Sequence, residues 1–223
     1  MPKADGSCYR YAGAQIARAP GVRLAPMDKI NTLTDVLALR RGARQHLDEG
    51  AVTSGYRADR ETVLRLLNAA LATEIVCVLR YRRHHFTAKG IHSKGIADEF
   101  LAHSNEEQGH ADLIAERMVQ LGGEPDFSPA GLTGRSHAEY VEGATLLDMV
   151  KEDLVAERIA IDSYRDFIDY LGDTDPTTRR MLESILAVEE QHAEELAGLL
   201  QQADGPVGLT ARTRAGAGLA RVE

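Results

Sequence analysis

Apolar residues recur at alternating spacings of three and four in four long segments of the chain. The segments begin near Asp59, Gly95 and Gly143 and at Asp175-Pro176. This spacing places apolar side chains along one face of an α-helix. The alternation of apolar and polar residues that is typical of strands does not extend over a useful length. The sequence therefore predicts an all-α protein.

The lengths of the connections predict how the helices are arranged. The first and third connections are short, so each joins two antiparallel neighbours. The second connection, from Gly122 to about Glu142, contains Pro125 and Pro129 and spans roughly 20 residues, enough to return along the length of a bundle. We therefore expect an antiparallel four-helix bundle with one long crossover.

The sequences on either side of the bundle have a different character. We assign residues 59–203 to the bundle and residues 1–58 to an N-terminal helical extension. Within the extension, residues up to about Pro26 are expected to form a mobile arm, followed by a short helix over 28–47. Residues 204–223 form a Gly/Ala/Arg-rich tail with little helical pattern, which we expect to be flexible.

The charge of the chain is concentrated in the bundle. The 223 residues have 26 basic and 34 acidic side chains, a formal net charge of -8. Residues 59–203 hold 14 of the basic and 27 of the acidic side chains, whereas both ends are weakly basic. This balance argues against nucleic-acid binding by the whole surface and is compatible with metal cations as ligands.

The sequence predicts a cytoplasmic protein without a membrane partner. No apolar run approaches the ~20 residues of a membrane span, and the N-terminus lacks the continuous apolar region of a secretory signal. Cys8 and Cys77 are too few for a disulfide framework, which favours a reducing compartment. We expect Cys77 to be a packed, small apolar residue.

Ionisable residues interrupt all four apolar stripes. An unpaired carboxylate in these positions would cost several kcal/mol or take up a proton. Two divalent metal ions would supply the missing positive charge, and imidazole together with carboxylate suits iron or manganese. The residues, in helix order, are Glu74; Glu107 and His110; Glu157; and Glu189 and His192.

The spacing of these residues supports a site for two metals. A Glu and a His at positions i and i+3 share one helical face, about 4.5 Å apart along the axis. The Glu can then bridge two metals while the His binds one. The chain has only two E-x-x-H motifs, which lie on the second and fourth helices. Glu107 follows Glu74 by 33 residues, and Glu189 follows Glu157 by 32 residues, so the two halves of the bundle repeat the same spacing.

Two tyrosines and several other histidines are secondary candidates. Tyr81 and Tyr164 each follow a single Glu by seven residues, and each is either a core tyrosine with a bonded hydroxyl or a residue with a redox role. His103 is expected to line the bundle or its inner surface. Four other histidines are expected at the surface or at helix ends: His84, His85, His92 and His137.

Four stretches of the sequence resemble one known family. They are Leu67-Asn68 through Glu74 and Tyr81, 105–112 (NEEQGHAD), 153–157 (DLVAE) and 189–192 (EEQH). They resemble bacterioferritin and the Dps-like proteins with a bacterioferritin-type di-iron site, within the ferritin-like superfamily, over roughly residues 60–202. The resemblance implies a ferroxidase centre with two Fe ions, Tyr81 beside it, and six ligands: Glu74, Glu107, His110, Glu157, Glu189 and His192.

The chain departs from that family at three places, one of which is that residues 1–58 have no counterpart in its common pattern. Bacterioferritin binds haem through a methionine directly after the Glu of its first E-x-x-H, and Gln108 stands there in this chain, which argues against haem. The family's 24-subunit shells have a short fifth helix, whereas here a Gly/Ala/Arg-rich tail follows the bundle. The sequence therefore favours a homo-oligomeric shell of 12 subunits over one of 24.

The resemblance and the pattern together predict a ferroxidase. Two Fe(II) ions would be oxidised to Fe(III) by O2 or H2O2, for iron storage, iron detoxification and protection against oxidative stress. One alternative is a peroxidase or catalase with two irons or two manganese ions that stores nothing. Another is a Dps-type protein that protects DNA through its basic N-terminal arm, which carries Lys3, Arg10, Arg18 and Arg23.

Overall fold

The computed structural model describes residues 35–90 and 93–204, and these residues contain helices and no strands. The chain divides into two compact units between Ala43 and Arg44. The described part of the first unit is α1 (Val36–Gly42), which begins where the Asp35 carboxylate accepts hydrogen bonds from two backbone amides. The predicted helix over 28–47 is therefore shorter at its C-terminal end, and its first seven residues lie outside the described ranges.

The second unit contains the four long helices. They are α2 (Arg60–Thr87), α3 (Ser93–Gln120), α5 (Leu146–Leu171) and α6 (Pro176–Asp204), with α4 (Leu132–Arg135) in the crossover between α3 and α5. α2 packs along α3, and α5 packs along α6. The predicted all-α bundle with a single long crossover is confirmed.

Two of the predicted helix starts differ in detail from the structure. Asp59 precedes α2 as predicted, but its carboxylate accepts from the Thr62 hydroxyl and caps no backbone amide. Asp175 does cap α6, because its carboxylate accepts from the backbone amide of Thr178 at 3.0 Å. α5 begins at Leu146, three residues later than predicted, since Thr145 and Asp148 form a capping box there.

The described residues form two larger apolar clusters, one towards each end of the bundle, and a small third cluster where Leu132 of α4 packs on α2. One cluster includes Leu67, Ile114, Leu171 and Leu182, which are almost fully buried. The other is built from residues such as Tyr81, Phe100, Val150 and Leu196. Each fully buried large apolar side chain contributes about 1.5–3 kcal/mol. On every long helix the six predicted site residues fall between these two clusters, so the core encloses a polar layer.

A buried ionic network fixes the end of the crossover to α2 and α5. Asp153 binds the Arg80 guanidinium through one oxygen and His84 Nδ1 through the other, each at 2.8 Å. Arg80 also donates to the backbone carbonyl of Glu139, and the other ring nitrogen of His84 contacts the carbonyl of Glu142. The sequence predicts His84 at the surface or at a helix end. It does lie in the last turn of α2, but it is fully buried because it has a carboxylate partner inside the bundle.

A second network lies at the opposite end, where residues before α2 pack onto the bundle. Asp175 accepts hydrogen bonds from Arg117 and from the hydroxyl of Tyr56. Val52 joins the adjacent apolar cluster, and Arg57 donates to the carbonyl of Asp173 at 2.6 Å. Residues 44–58 therefore belong to the same compact unit as the bundle. The predicted domain boundary at residue 58 stays a prediction.

α2 is long and apolar enough, by length and composition alone, to cross a membrane. The expectation that no apolar run approaches the length of a membrane span is therefore wrong for this helix. More than half of the 18-residue window is buried inside the bundle, at 56%, as is usual for the core helix of a helical protein. Glu74 lies near the middle of the same helix and is buried.

The backbone at Gly143 yields a prediction about stability. Gly143 has φ of 62°, and a Cβ atom there would lie 2.7 Å from the backbone nitrogen of Met149. We expect Gly143→Ala to lower the free energy of unfolding by about 1–3 kcal/mol, because the backbone would be strained and the start of α5 displaced. Chemical denaturation measures this change.

Gly198→Ala is the matched control. Gly198 lies inside α6, and a Cβ atom added there meets nothing within 4 Å. We expect this change to raise the free energy of unfolding by about 0.5–1 kcal/mol, since alanine favours the helix. Equal stability changes in the two variants would contradict the role assigned to Gly143.

Candidate metal centre

The six residues predicted from the interrupted stripes meet in the polar layer. Each long helix carries one or two of them near its middle, so the helical pairing brings them to one level of the bundle. All six side chains are buried, and His110 is the most exposed at 7%. Their donor atoms form two adjoining groups of four, in which all atoms lie within 4.8 Å of one another.

The first group surrounds His110. Its Nδ1 atom lies 2.8 Å from Glu189 Oε1, 3.4 Å from Glu74 Oε2 and 3.6 Å from Glu107 Oε2. One imidazole nitrogen and three carboxylate oxygens thus face a common point.

The second group surrounds His192. Its Nδ1 atom lies 3.5 Å from Glu107 Oε1 and 3.9 Å from one oxygen each of Glu157 and Glu189. Glu107 and Glu189 therefore present one oxygen to each histidine, whereas Glu74 and Glu157 each face a single histidine. The two residues at the E-x-x-H glutamate positions are the ones placed to bridge two metal ions.

The donor atoms of the site lack hydrogen-bond partners. Among the described residues, eight buried side-chain nitrogen or oxygen atoms have no hydrogen bond, and seven of them belong to these six residues. Leaving a buried polar group unsatisfied costs about 1–3 kcal/mol. A concentration of such atoms at one point fits positively charged ions that would bind them all, so the residues present suit a pair of divalent metals.

Two tyrosines brace the site across the bundle. The Tyr81 hydroxyl on α2 donates to Glu157 on α5, and the Tyr164 hydroxyl on α5 donates to Glu74 on α2. Each hydroxyl uses one carboxylate oxygen and leaves the other facing a histidine. The equal spacing of seven residues between Glu and Tyr on both helices produces this reciprocal arrangement. Both tyrosines are therefore core residues whose bonded partners are carboxylates of the site.

Further polar residues contact the centre from the side of α3 and α6. His192 Nε2 lies 2.6 Å from the carboxylate of Glu106, which fixes the imidazole with its Nδ1 towards the site. Sequence reasoning missed Glu106 because it is exposed and lies off the apolar stripe. His103, expected to line the bundle, is buried and stacks on His192 with 4.0 Å between ring centroids. Gln108 lies on the exposed side of α3 and donates to Asp112.

The electrostatics of the site follow from burial and from the closeness of like charges. Burial, followed by repulsion from Glu107, raises the pKa of Glu157 to about 7 and raises the pKa of Glu74 and Glu189 well above the usual range. Burial acts the same way on Glu107, but the neighbouring Glu74, His110 and His192 side chains outweigh burial and lower its pKa.

The two histidines shift in the opposite sense to ordinary buried histidines. Burial acts to lower their pKa, but the surrounding carboxylates outweigh it and raise the pKa of His110 to about 12 and that of His192 to about 9. Without metal, protons therefore neutralise part of the charge that two cations would otherwise balance.

A helical bundle with carboxylates and imidazoles projecting inward from facing helices defines the class of metal-binding four-helix bundles. The sequence model of the ferritin-like domain matches residues 64–205. The chain belongs to the ferritin-like family.

The chain is similar to two kinds of curated relative. It is 28% identical over 141 residues to a bacterioferritin of Desulfovibrio desulfuricans, covering 62% of this chain and 75% of the relative. It is 33% identical over 139 residues to a nutrient stress-induced DNA-binding protein of a Nostoc species, covering 60% of this chain and 74% of the relative.

Solved structures agree on the fold. A dodecameric thioferritin, the bacterioferritin-related protein from Bacteroides fragilis, matches with a TM-score of 0.66 and 26% identity, covering 71% of this chain and 94% of that one. The Dps protein from Thermosynechococcus elongatus matches with a TM-score of 0.61 and 22% identity, covering 63% of this chain and 90% of that one.

Metal binding at this site is expected to release protons. The histidines and three of the glutamates have raised pKa values in the metal-free protein, so a metal must displace protons that are bound at neutral pH. We expect the affinity for Co2+ to fall as the pH is lowered from 8 to 6. Titration calorimetry in buffers of different ionisation enthalpy measures both the affinity and the protons released. Binding that is independent of pH over this range would contradict this description of the centre.

Proposed function

We propose that the protein is a ferroxidase that binds two Fe(II) ions in the centre of the bundle and oxidises both to Fe(III). The observation that carries the proposal is the pair of adjoining donor groups that share Glu107 and Glu189. Glu74 and His110 would complete the binding of one iron, and Glu157 and His192 that of the other. Manganese suits the same donors.

The geometry supports a reaction in which two electrons leave together. Each Fe(II) gives up one electron, and the pair reduces O2 to H2O2, or H2O2 to water, with protons taken from the surroundings. Two irons held by shared carboxylates can release both electrons to one oxidant molecule. The carboxylates balance the change in metal charge, while Tyr81 and Tyr164 hold Glu157 and Glu74 in place.

The ligand set is tested by removing one E-x-x-H pair. We expect Glu107→Ala combined with His110→Ala to lower the initial rate of Fe(II) oxidation by more than about tenfold, because one shared carboxylate and one imidazole are lost. Anaerobic mixing with Fe(II), followed by addition of O2 and monitoring of Fe(III) absorbance, measures the rate. A rate equal to that of the unaltered protein would refute the assignment.

The control removes the same two residue types from the surface. Glu194 and His137 are exposed, and neither is one of the six proposed ligands. Glu194→Ala combined with His137→Ala should leave the rate unchanged. Far-ultraviolet circular dichroism of both double variants checks that the bundle is folded.

We further propose that the protein stores the oxidised iron in a hollow homo-oligomeric shell of 12 subunits in the cytoplasm. The similarity to bacterioferritin, and to a thioferritin described as dodecameric, supports this assembly. In that setting, iron oxidation removes Fe(II) and the oxidant together and so protects against oxidative stress.

Particle mass and iron content distinguish an iron-storing shell from an enzyme that stores no iron. After loading with Fe(II) in air, we expect a particle of 12 chains of 24.3 kDa that contains far more than two irons per chain. Light scattering coupled to size exclusion gives the mass, and elemental analysis gives the iron. A small oligomer with no more than two metals per chain would instead indicate a peroxidase or catalase.

A DNA-binding role is a second candidate, favoured by the similarity to a nutrient stress-induced DNA-binding protein. The basic arm proposed to bind DNA lies outside the residues that the structure describes. We expect a salt-sensitive gel shift with duplex DNA that is lost on deletion of residues 1–26, because phosphate contacts are weakened by salt. A shift that survives the deletion would exclude the arm as the binding element.

A further inference from the structure

The two donor groups of the centre are closely matched in their carboxylates. Glu107 and Glu189 each present one oxygen to either histidine. Glu74 and Glu157 each face one histidine, and each is held by one tyrosine hydroxyl. The clearest difference between the two metal positions therefore lies in how their histidines are held.

His192 is fixed on the side of its ring that faces away from the centre. Its Nε2 atom lies 2.6 Å from Glu106 Oε2, and its ring stacks on that of His103 with 4.0 Å between centroids. In the neutral imidazole that binds a metal, the Nε2–H donates to this carboxylate and Nδ1 directs its lone pair at the centre. Rotation of the ring would break the hydrogen bond and the stacking together.

His110 has no comparable restraint. The carboxylates within 4 Å of its ring all approach Nδ1, on the side of the centre. Within the described part of the chain, no residue forms a hydrogen bond with its Nε2 atom, and 6.3 Å separates its ring centroid from that of His192. The His110 side chain is 8% exposed and that of His192 is 1% exposed, so His110 is the histidine nearer to solvent.

This difference between the histidines affects metal affinity. A histidine that ligates a metal typically donates its other ring N–H to an acceptor, which fixes the ring and makes the ligating nitrogen more basic. Loss of such a partner typically lowers metal affinity by about 10–100-fold. The position at His192 has this partner in Glu106, and the position at His110 lacks one among the described residues.

We propose that the two metal positions are unequal, and that the position at His192 binds a divalent metal first and more tightly. Glu106 is the positioning residue that produces this order, because it acts through the His192 ring. The inference rests on the two-metal centre of the proposed function, but it concerns binding and does not depend on oxidation. Since oxidation of an iron pair needs both ions, binding of the second iron at His110 would control when the reaction begins.

The order of binding is tested with Co2+, a divalent ion that suits the same donors. Anaerobic titration calorimetry of the full chain should show two Co2+ per chain, the first bound at least about tenfold more tightly than the second. Crystals prepared with one Co2+ per chain should show an anomalous-scattering peak at His192 and a much weaker one at His110.

Substitution of Glu106 tests the cause of the order. We expect Glu106→Ala to weaken Co2+ binding at His192 by about 10–100-fold and to leave binding at His110 unchanged. At one Co2+ per chain, the preference for His192 should therefore disappear or reverse. Glu106→Gln keeps an oxygen that accepts from Nε2–H, so it should retain the preference for His192 that the alanine variant loses.

Glu116→Ala is the matched control, since Glu116 is an exposed glutamate on the same helix and is not one of the six proposed ligands. It should leave both Co2+ affinities and both peaks unchanged. Equal peaks at the two histidines in the unaltered protein, or a first Co2+ at His110, would overturn the inference. A Glu106→Ala variant that keeps the unaltered order would overturn it as well.

Failure of the proposed function would give a different result. A protein that fills the position at His192 first but does not oxidise Fe(II) would refute the ferroxidase proposal and leave the order of binding intact. A protein that oxidises Fe(II) but binds both Co2+ equally would refute only the order of binding. A protein that binds no Co2+ would refute both.

Discussion

The structure depends on placing four carboxylates and two imidazoles in one layer of a helical bundle. Packing apolar residues on both sides of the layer is favourable, but the layer itself leaves seven buried donor atoms without hydrogen bonds. Burial, followed by repulsion between the carboxylates, raises the pKa of three of the four glutamates, so the layer requires protons or cations to balance its charge. The fold accommodates these buried charged side chains because the surrounding helices fix the distances between them.

Polar contacts around the layer help to fix the distances between the carboxylates and imidazoles of the site. Tyr81 and Tyr164 link α2 to α5 through the outer carboxylate oxygens, and Glu106 orients His192. Away from the layer, Asp153 and Asp175 each bind a buried arginine and anchor one end of the bundle. Breaking a buried ion pair by removing one partner typically costs about 3–5 kcal/mol, so these contacts resist shifts of one helix along another. The order of the site is therefore maintained by ionic contacts as well as by apolar packing.

Much of this arrangement could be predicted from local sequence patterns. The period of three and four defined the helices, and the glutamates that interrupt it identified the site, because a side chain on an apolar stripe must face the interior. The burial of His84 was missed, since its partner Asp153 is 69 residues away and the histidine lies near a helix end. Glu106 was missed because it is exposed and because its contact, His192, lies on another helix.

By itself the sequence determined the helix type, the single long crossover and the six side chains that point inward, because these follow from periodicity and connection length. Only the tertiary structure decided which glutamates face both histidines, which oxygen each tyrosine occupies and which nitrogen of His192 faces Glu106. Those features depend on the rotation and the relative shift of packed helices. Such quantities are set by contacts between residues far apart in the chain, and a pattern read along one segment does not contain them.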